Sequence, residues 1–496
     1  MAMAAALILL LSMLAHSNAG EAFDVRRHLS TVTRYGVEKD RPEGSYVPTE
    51  IPDECSPIHL NLVARHGTRS PTKKRIRELD GLAAHMEVIF NAAKVEAEHN
   101  APLKKVPAWL QGWESPWKGK SRGGELIRKG EDELYELAVR IRDRFPNLLN
   151  EEYHPDVYVI KATQVPRASA SAVAFGMGLF SGKGSLGPGH HRAFSVSSES
   201  RASDILLRFY DCCENYKGYR KRQEPAVDKL KEPIFDEITS ALTLRYGLNF
   251  TRQDTSSLWF LCKQEASLLD RIDQACALFS PSEVNMLEWT DDLELFILKG
   301  YGKSLNYRIG VPLLEDVVQS MEDAIKAKEE GHAPGSYEKA RLRFAHAETV
   351  VPFSCLLGLF LEGSEFEQIQ REQSLQLPPK PPLKRSWRGS LVAPFAGNNM
   401  LVLYSCAANA SSKYYVQVLH NENPMPMPGC HNSDFCPFEV FKERIVAPHK
   451  KHDYNTVCSV KLEQLEAKSA TSKLSQLFRW LFLFGNDDIR SHNVEL

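Results

Sequence analysis

The chain has 496 residues, 43% of them hydrophobic and 25% charged. These are ordinary globular proportions, and they exclude disordered, collagen-like and coiled-coil architectures. Lys and Arg total 61 against 63 Asp and Glu, a net charge of −2, so the body of the protein offers no global positive field to nucleic acid.

That length predicts two or three domains, or one large domain with an insertion. The first element is Ala4–Leu14, an uncharged apolar run that leads to Ser17-Asn18-Ala19, small residues of the kind a signal peptidase reads. Residues 1–19 are therefore expected to be a signal peptide. The run is too short for a membrane span, which needs about 20 apolar residues, and no later segment is long enough. Leu477–Phe484 is eight residues long and contains Arg479, so it is expected to be a buried terminal element. Ten cysteines and two glycosylation sequons, Asn249-Phe250-Thr251 and Asn409-Ala410-Ser411, agree with entry into the secretory pathway. The expected location is secreted, vacuolar or endoplasmic reticulum, although the C-terminal Asn493-Val494-Glu495-Leu496 shares only its last two residues with a retrieval tail.

Three strands are predicted, at Ile58–Ala64, Val157–Lys161 and Arg341–Ala345. Each runs into polar or charged residues and then a helical pattern, the last two over Arg167–Phe180 and Glu348–Leu361. Strand, functional residue and helix in that order predict a parallel α/β sheet, whose ligands sit beyond the carboxyl ends of the strands. Gly124–Phe145 reads as an amphipathic helix, and Ala202–Glu330 as an inserted α-rich lobe. Leu375–Trp387 is rich in proline and basic residues and reads as a surface loop.

The first strand leads into Arg65-His66-Gly67-Thr68-Arg69-Ser70-Pro71. Arginine's planar fork binds phosphate oxygens in pairs. A histidine among arginines is held neutral by their charge, and a neutral imidazole is a nucleophile. Gly67 lets the backbone turn closely around an oxyanion. Six Lys or Arg occur within Arg65–Arg77, with no acid among them.

The motif resembles the RHGxRxP signature of the histidine acid phosphatases and matches each fixed position. His346-Ala347-Glu348 resembles that family's distant second motif, in the HAE form of the multiple inositol polyphosphate phosphatases and the plant phytases of that type. Arg167 matches a further family arginine, Gly124-Glu125-Leu126 and Gly130 the family's helix start, and residues 423–436 its segment near the C-terminus. The resemblance runs from about Cys55 to Cys458. It implies a histidine-phosphatase-like (Rossmann-like) α/β fold: a mixed, mostly parallel sheet flanked by helices, with a smaller α-rich cap inserted. The expected division is 46–82, 121–200 and 335–496 for the catalytic domain, and 83–120 and 201–334 for the cap.

The implied reaction is hydrolysis of phosphomonoesters through a phosphohistidine. His66 is the implied nucleophile, and Arg65, Arg69, Arg167 and His346 hold the phosphoryl oxygens. Glu348 is the implied proton donor, which predicts activity at acid to neutral pH. No metal or other cofactor is expected. Lys73, Lys74 and Arg75 exceed what one phosphate needs, so the expected substrate is a small polyanion, inositol hexakisphosphate or its partly dephosphorylated forms. Lys217, Arg220, Lys221 and Arg222 could add to them from the cap, or be plain surface. The alternatives are a broader acid phosphatase, a bisphosphoglycerate phosphatase, and a non-catalytic inositol-phosphate binding protein. No nucleic acid partner and no membrane span are expected, and a monomer is favoured.

Other motifs fail on context. Gly182–Gly187 matches G-x-G-x-x-G but follows a helical segment instead of a strand. Gly302-Lys303-Ser304 lacks the first glycine of a P-loop, and His449–Asp453 lacks further metal ligands. The family's disulfide framework implies Cys55 with Cys406, Cys430 with Cys436, Cys262 with Cys276, and Cys458 with either Cys212 or Cys213. Cys355 is expected to be a buried free thiol.

Overall fold

The computed structural model describes residues 23–39, 46–97 and 106–459, except positions 334, 362, 374, 376, 379, 383, 408 and 409. The expected signal peptide, Asn409 of the second sequon, Leu477–Phe484 and the C-terminal tetrapeptide lie outside the described residues.

In chain order, the elements that position the site are β1 (Ser56–Arg65), α1 (Lys73–Ala97), α2 (Arg128–Arg144), β2 (Tyr158–Ala162), α3 (Pro166–Leu179), α4 (Glu214–Tyr246), α5 (Arg252–Leu268), α6 (Pro281–Lys299), α7 (Val311–Glu329), β3 (Ala340–Ala345), α8 (Ala347–Leu356), β4 (Asn398–Ser405) and β5 (Tyr414–His420), followed by the short β6 (Asn423–Pro424) and β7 (Phe435–Pro437). They form one sheet in the order β2-β3-β1-β4-β5-β6, with β7 beside β5. The sheet is mixed. Pairing is parallel across β2, β3 and β1 and antiparallel from β1 through β4 to β5, β6 and β7.

The three predicted strands are the three parallel ones. β4 and β5 lie outside the prediction. β4 is buried along its whole length, and a short apolar run carries no period to separate a buried strand from a buried helix.

Parallel strands are covered on both faces, and β1 shows how. Leu60, Leu62 and Ala64 pack against Leu134, Leu137 and Ile141 of α2 and Phe175 and Leu179 of α3. The alternate positions His59 and Asn61 are polar, yet both are fully buried. They sit in a hydrogen-bonded layer beneath α7. Arg343 of β3 donates to Asn61 Oδ1 at 2.8 Å and to Asp316 Oδ2 at 3.0 Å, and His59 Nε2 lies 3.0 Å from Glu338 Oε1. A buried polar strand face is stable only when satisfied in this way. Helix α7 falls within the span expected for the cap, but Val311, Leu313, Leu314 and Val317 pack with Val63 and the β4 residues Leu401 and Leu403.

A separate apolar cluster joins α1, α4, α5 and α6 through Leu79, Met86, Ile238, Leu258, Trp259, Leu287 and Leu293. Capping boxes start two of these helices, Thr251 with Asp254 on α5 and Ser280 with Glu283 on α6. Asn249 of the first sequon is exposed just before α5.

Other expected boundaries shift. The helix expected over Glu348–Leu361 stops at Leu356, and the chain then passes through Gly358 at φ +72°, a backbone that favours glycine. The helix expected from Gly124 begins at Arg128, because residues 124–127 instead bond to the loop after β1. The proline-rich segment expected on the surface is anchored inside: Trp387 is buried and Arg385 is paired with Glu288 and Asp292 of α6. Its composition describes a loop, whereas its anchors depend on partners nearly a hundred residues away.

Disulfides join Cys55 to Cys406, Cys213 to Cys458, Cys262 to Cys276 and Cys430 to Cys436. Cys458 thus takes Cys213 over Cys212, and Cys355 is a buried thiol. A non-reducing peptide map is expected to yield these four linked pairs. Alkylation before unfolding is expected to label the half-buried Cys212 while sparing Cys355, and a Cys212–Cys458 peptide would contradict the pairing.

Candidate active site

β1 and β3 pair in parallel with Arg65 opposite Ala345. The next residue on each strand is a histidine, so the register sets His66 beside His346. Their ring centroids are 5.4 Å apart, edge to face. β2 ends alongside, with Ala162 opposite Phe344. The following Thr163 places Oγ1 2.9 Å from His346 Nε2. Arg167, in the first turn of α3, reaches His346 Nδ1 at 3.4 Å. Three strand ends thus bring His66, His346 and Arg167 to one point, where loops and helix starts carry the polar groups.

The loop after β1 is locked by two glycines. A Cβ on Gly67 would stand 2.2 Å from the Gly130 carbonyl oxygen, and one on Gly130 would stand 2.2 Å from the Thr68 carbonyl oxygen. Neither position accepts a side chain, because the loop and the start of α2 are in backbone contact. Glu133, one turn into α2, accepts from Thr68 N and Thr68 Oγ1, both at 2.8 Å. Ile127 N donates to the Thr68 carbonyl at 3.1 Å, and Ser70 N to that of Glu125 at 2.9 Å.

His66 Nδ1 lies 2.9 Å from the Gly67 carbonyl oxygen. A carbonyl only accepts, so Nδ1 carries the hydrogen and Nε2 of the neutral ring keeps its lone pair. Burial, followed by the charges of Arg167 and Arg65, holds His66 well below its usual range. The neutral state read from the arginines thus owes most to desolvation. His346 is depressed by burial and then by Arg167. Arg65 is itself pushed down to about 9 by burial and by Arg69. Its Nη1 donates to the Thr31 and Ala393 carbonyls, its guanidinium carbon stands 4.5 Å over the Phe395 ring, and its Nε is buried with no hydrogen-bond partner.

Glu348 lies in the first turn of α8, with His346 at the N-cap. Burial alone would raise its pKa. Lys299 first, then His346 and Arg220, overcome that and hold the carboxyl well below its usual range. It is therefore ionised beside Lys299, whose Nζ stands 3.1 Å from its Oε1.

A cleft of about 100 Å³ lies beside these groups, and Arg65, Arg69, Arg75, Lys263, Lys299 and Phe395 are among its walls. Arg75 therefore joins the cleft. Lys73 and Lys74 are exposed on α1 and do not line it. Of the cap candidates, Lys217, Lys221 and Arg222 are exposed, while Arg220 is half-buried, bonded to Glu224 at 2.9 Å, and acts on Glu348. Sequence reading missed Arg208, whose Nη1 lies 3.2 Å from His346 Nε2, as well as Lys299 and Lys263. All three come from the helical segment between β2 and β3, where no local motif separates a site cation from a surface one. Asp291 and Glu294 line the same cleft. Among the described residues, no group of three His, Cys, Asp or Glu side chains gathers as a metal site, and no helix is long and apolar enough to cross a membrane.

A model of the histidine phosphatase superfamily (branch 2) matches residues 58–421. Multiple inositol polyphosphate phosphatase 1 of Dictyostelium discoideum is 26% identical over 460 residues, which cover 83% of this chain and 69% of that protein. The Homo sapiens protein of the same name is 28% identical over 419 residues, 81% of this chain and 82% of its own. A thiamine-repressible acid phosphatase of Schizosaccharomyces pombe is 24% identical over 417 residues, covering 82% of this chain and 83% of that protein. Two solved structures share the fold. The phytase from D. castellii superposes with a TM-score of 0.68 at 17% identity, covering 90% of this chain and 91% of that one. The Bifidobacterium longum multiple inositol polyphosphate phosphatase in complex with inositol hexasulfate gives 0.60 at 18% identity, covering 85% and 98%.

His66 and His346 bind protons less readily folded than at their usual value of 6.5. The unfolded chain then takes up more protons as pH falls, so the stability present above about pH 6.5 is lost below it. An anion in the cleft offsets that loss. The melting temperature is expected to drop between pH 7 and pH 5, and sulfate, whose own charge is constant there, is expected to raise it more at pH 5 than at pH 7. An equal increment at both would contradict this electrostatic account.

Proposed function

The chain belongs to branch 2 of the histidine phosphatase superfamily, and from that membership we propose that it removes phosphates from inositol polyphosphates, phytate included, through a phosphohistidine on His66. The observation that carries the reading is the His66 Nδ1 contact with the Gly67 carbonyl, which leaves Nε2 as a lone pair amid guanidinium groups. In-line attack by Nε2 on phosphorus forms the N–P bond and breaks the ester P–O bond. Arg65, Arg69, Arg167 and His346 hold the equatorial oxygens, and Arg208 joins them through its contact with His346. Glu348 protonates the departing alcohol and later takes the proton of the water that hydrolyses the phosphohistidine. Because Lys299 and its neighbours hold Glu348 ionised, its role as acid calls for the negative charge of bound phosphate to raise its proton affinity.

A polyphosphate substrate is favoured by Arg75, Lys263 and Lys299 on the cleft wall, which exceed the needs of one phosphoryl group, and by the names of the inositol polyphosphate phosphatases it is similar to. Lys73 and Lys74 would meet only a part of the substrate that leaves the cleft. A broader monoesterase is the second reading. Asp291 and Glu294 favour it, since they offset the cations along the same wall, and so does the similarity to acid phosphatases. Four disulfides support the secretory pathway as the working location. The catalytic and cap spans read from the sequence are retained as the domain division, with α7 seated on the sheet.

His66→Ala is expected to lower kcat by more than about 10³-fold, and an acid-labile, base-stable phosphoenzyme is expected to be trapped from the wild type alone. Glu348→Gln is expected to cost about 10² to 10⁴-fold with an inositol phosphate and far less with 4-nitrophenyl phosphate, whose leaving group needs no acid. Equal losses on both would remove Glu348 from the acid role. A higher kcat/KM for phytate than for 4-nitrophenyl phosphate supports the polyphosphate reading, and the reverse supports the broader one.

A further inference from the structure

Lys299 is the last residue of α6 and is 3% exposed. Two neighbours define its place. Its Nζ is 3.1 Å from Glu348 Oε1, and its side chain lines the cleft together with Arg65 and Arg69. A buried ammonium persists only with an opposite charge beside it. Helix ends reinforce the pair, since a cation is favoured at the C-terminus of α6 and an anion in the first turn of α8. A phosphate entering the cleft would bring Lys299 a second anion within reach.

We propose that Lys299 is the positioning residue of the acid: its ammonium pairs with the Glu348 carboxylate while the cleft is empty and turns to the bound phosphate when substrate arrives. This inference rests on the proposed role of Glu348. Once its partner is drawn away and a phosphate lies beside it, Glu348 takes one proton from bulk water. It passes that proton to the ester oxygen as the P–O bond breaks and the bond from His66 Nε2 to phosphorus forms. The chain thus avoids holding an uncompensated buried acid in the empty state, and the proton is gained only when there is substrate to receive it.

Other charged and titratable groups act on Glu348. His346 lies at its own N-cap, Arg220 and Tyr216 face it from α4, and Arg65 acts from β1. Arg220 is held by Glu224, Arg65 by the Thr31 and Ala393 carbonyls, and His346 by Thr163 and Arg208. Lys299 combines direct contact with Glu348 and a place on the cleft wall. Glu294, on the same helix, is bonded to Lys231.

The test is the pH profile of kcat/KM on an alkyl phosphate monoester such as 2-glycerophosphate, for wild type, Lys299→Met, Lys299→Arg, Glu348→Gln and the Lys299→Met/Glu348→Gln double variant. Lys299→Met is expected to lower the maximal kcat/KM about tenfold, because bound phosphate loses a cation, and to move the limb set by Glu348 up by about one pH unit, because the carboxylate loses its opposite charge. Lys299→Arg is expected to keep the wild-type limb, and the shift is expected to vanish in the double variant. An unmoved limb in Lys299→Met, or a shift that survives Glu348→Gln, overturns the inference. A second measurement needs no change at Lys299: proton uptake on binding inositol hexasulfate at pH 5, from calorimetry in buffers of different ionisation enthalpy. Wild type is expected to take up about one proton more than Glu348→Gln, and equal uptake overturns the inference. If Glu348→Gln keeps full activity on the alkyl ester, the acid role itself fails, which is a different result from an unmoved Lys299→Met limb.

Discussion

The architecture depends on burying like charges together. Arg65, Arg167 and Arg208 are each less than a tenth exposed and stand around the buried pair His66 and His346. Cations out of water repel one another and lose hydration, and Arg65 shows the effect in a pKa drawn down to about 9. The compensation is uneven: Arg208 pairs with the Asp211 carboxylate, whereas Arg65 relies on dipoles and an aromatic face. Two backbone carbonyls and the Phe395 ring hold Arg65. The result is a site short of negative charge, arranged before any phosphate arrives, so little reorganisation is left for the moment of reaction.

That arrangement requires a rigid frame. Register between β1 and β3 fixes the two histidines, and the reciprocal contact of Gly67 with Gly130 fixes the loop that carries His66 and Arg69. The second histidine is also the N-cap of α8, so the same backbone turn that ends the strand places Glu348. Helix α6 delivers Lys299 to Glu348 from the opposite side. Glu348 and its countercharge thus come from elements that are far apart in the chain, while His66 and His346 follow adjacent strands.

Much of this was legible in the residues themselves. Alternation in Ile58–Ala64 marks a strand because side chains on a strand repeat every two positions, and Arg65-His66-Gly67 follows at its end, where a parallel sheet places its ligands. The same logic located His346 and Arg167. It could not locate Arg208, Lys263 or Lys299, since Lys263 and Lys299 lie in helices and Arg208 just before one, where a site-facing cation has the same local sequence as a solvated one. It also overcounted: Lys73 and Lys74 follow the signature closely, yet α1 turns them into solvent while Arg75, one residue on, faces the cleft and rests 4.8 Å from the Phe260 ring.

By itself, the sequence singled out the candidate groups: which histidine stands among arginines, which carboxyl follows the second histidine, and which glycine lets the loop turn. Those features are local, because they depend on residue type and on spacing within a few positions. Only the tertiary structure decided the protonation of the parts and their counterions. Burial lowers His66 more than its neighbouring charges do, and Lys299, nearly fifty residues before Glu348, sets that carboxyl's state. Desolvation and ion pairing are properties of what surrounds a group in space, so the cysteine that Cys458 chooses, the cation that faces Glu348 and the lysines left in water emerge only once the chain has packed.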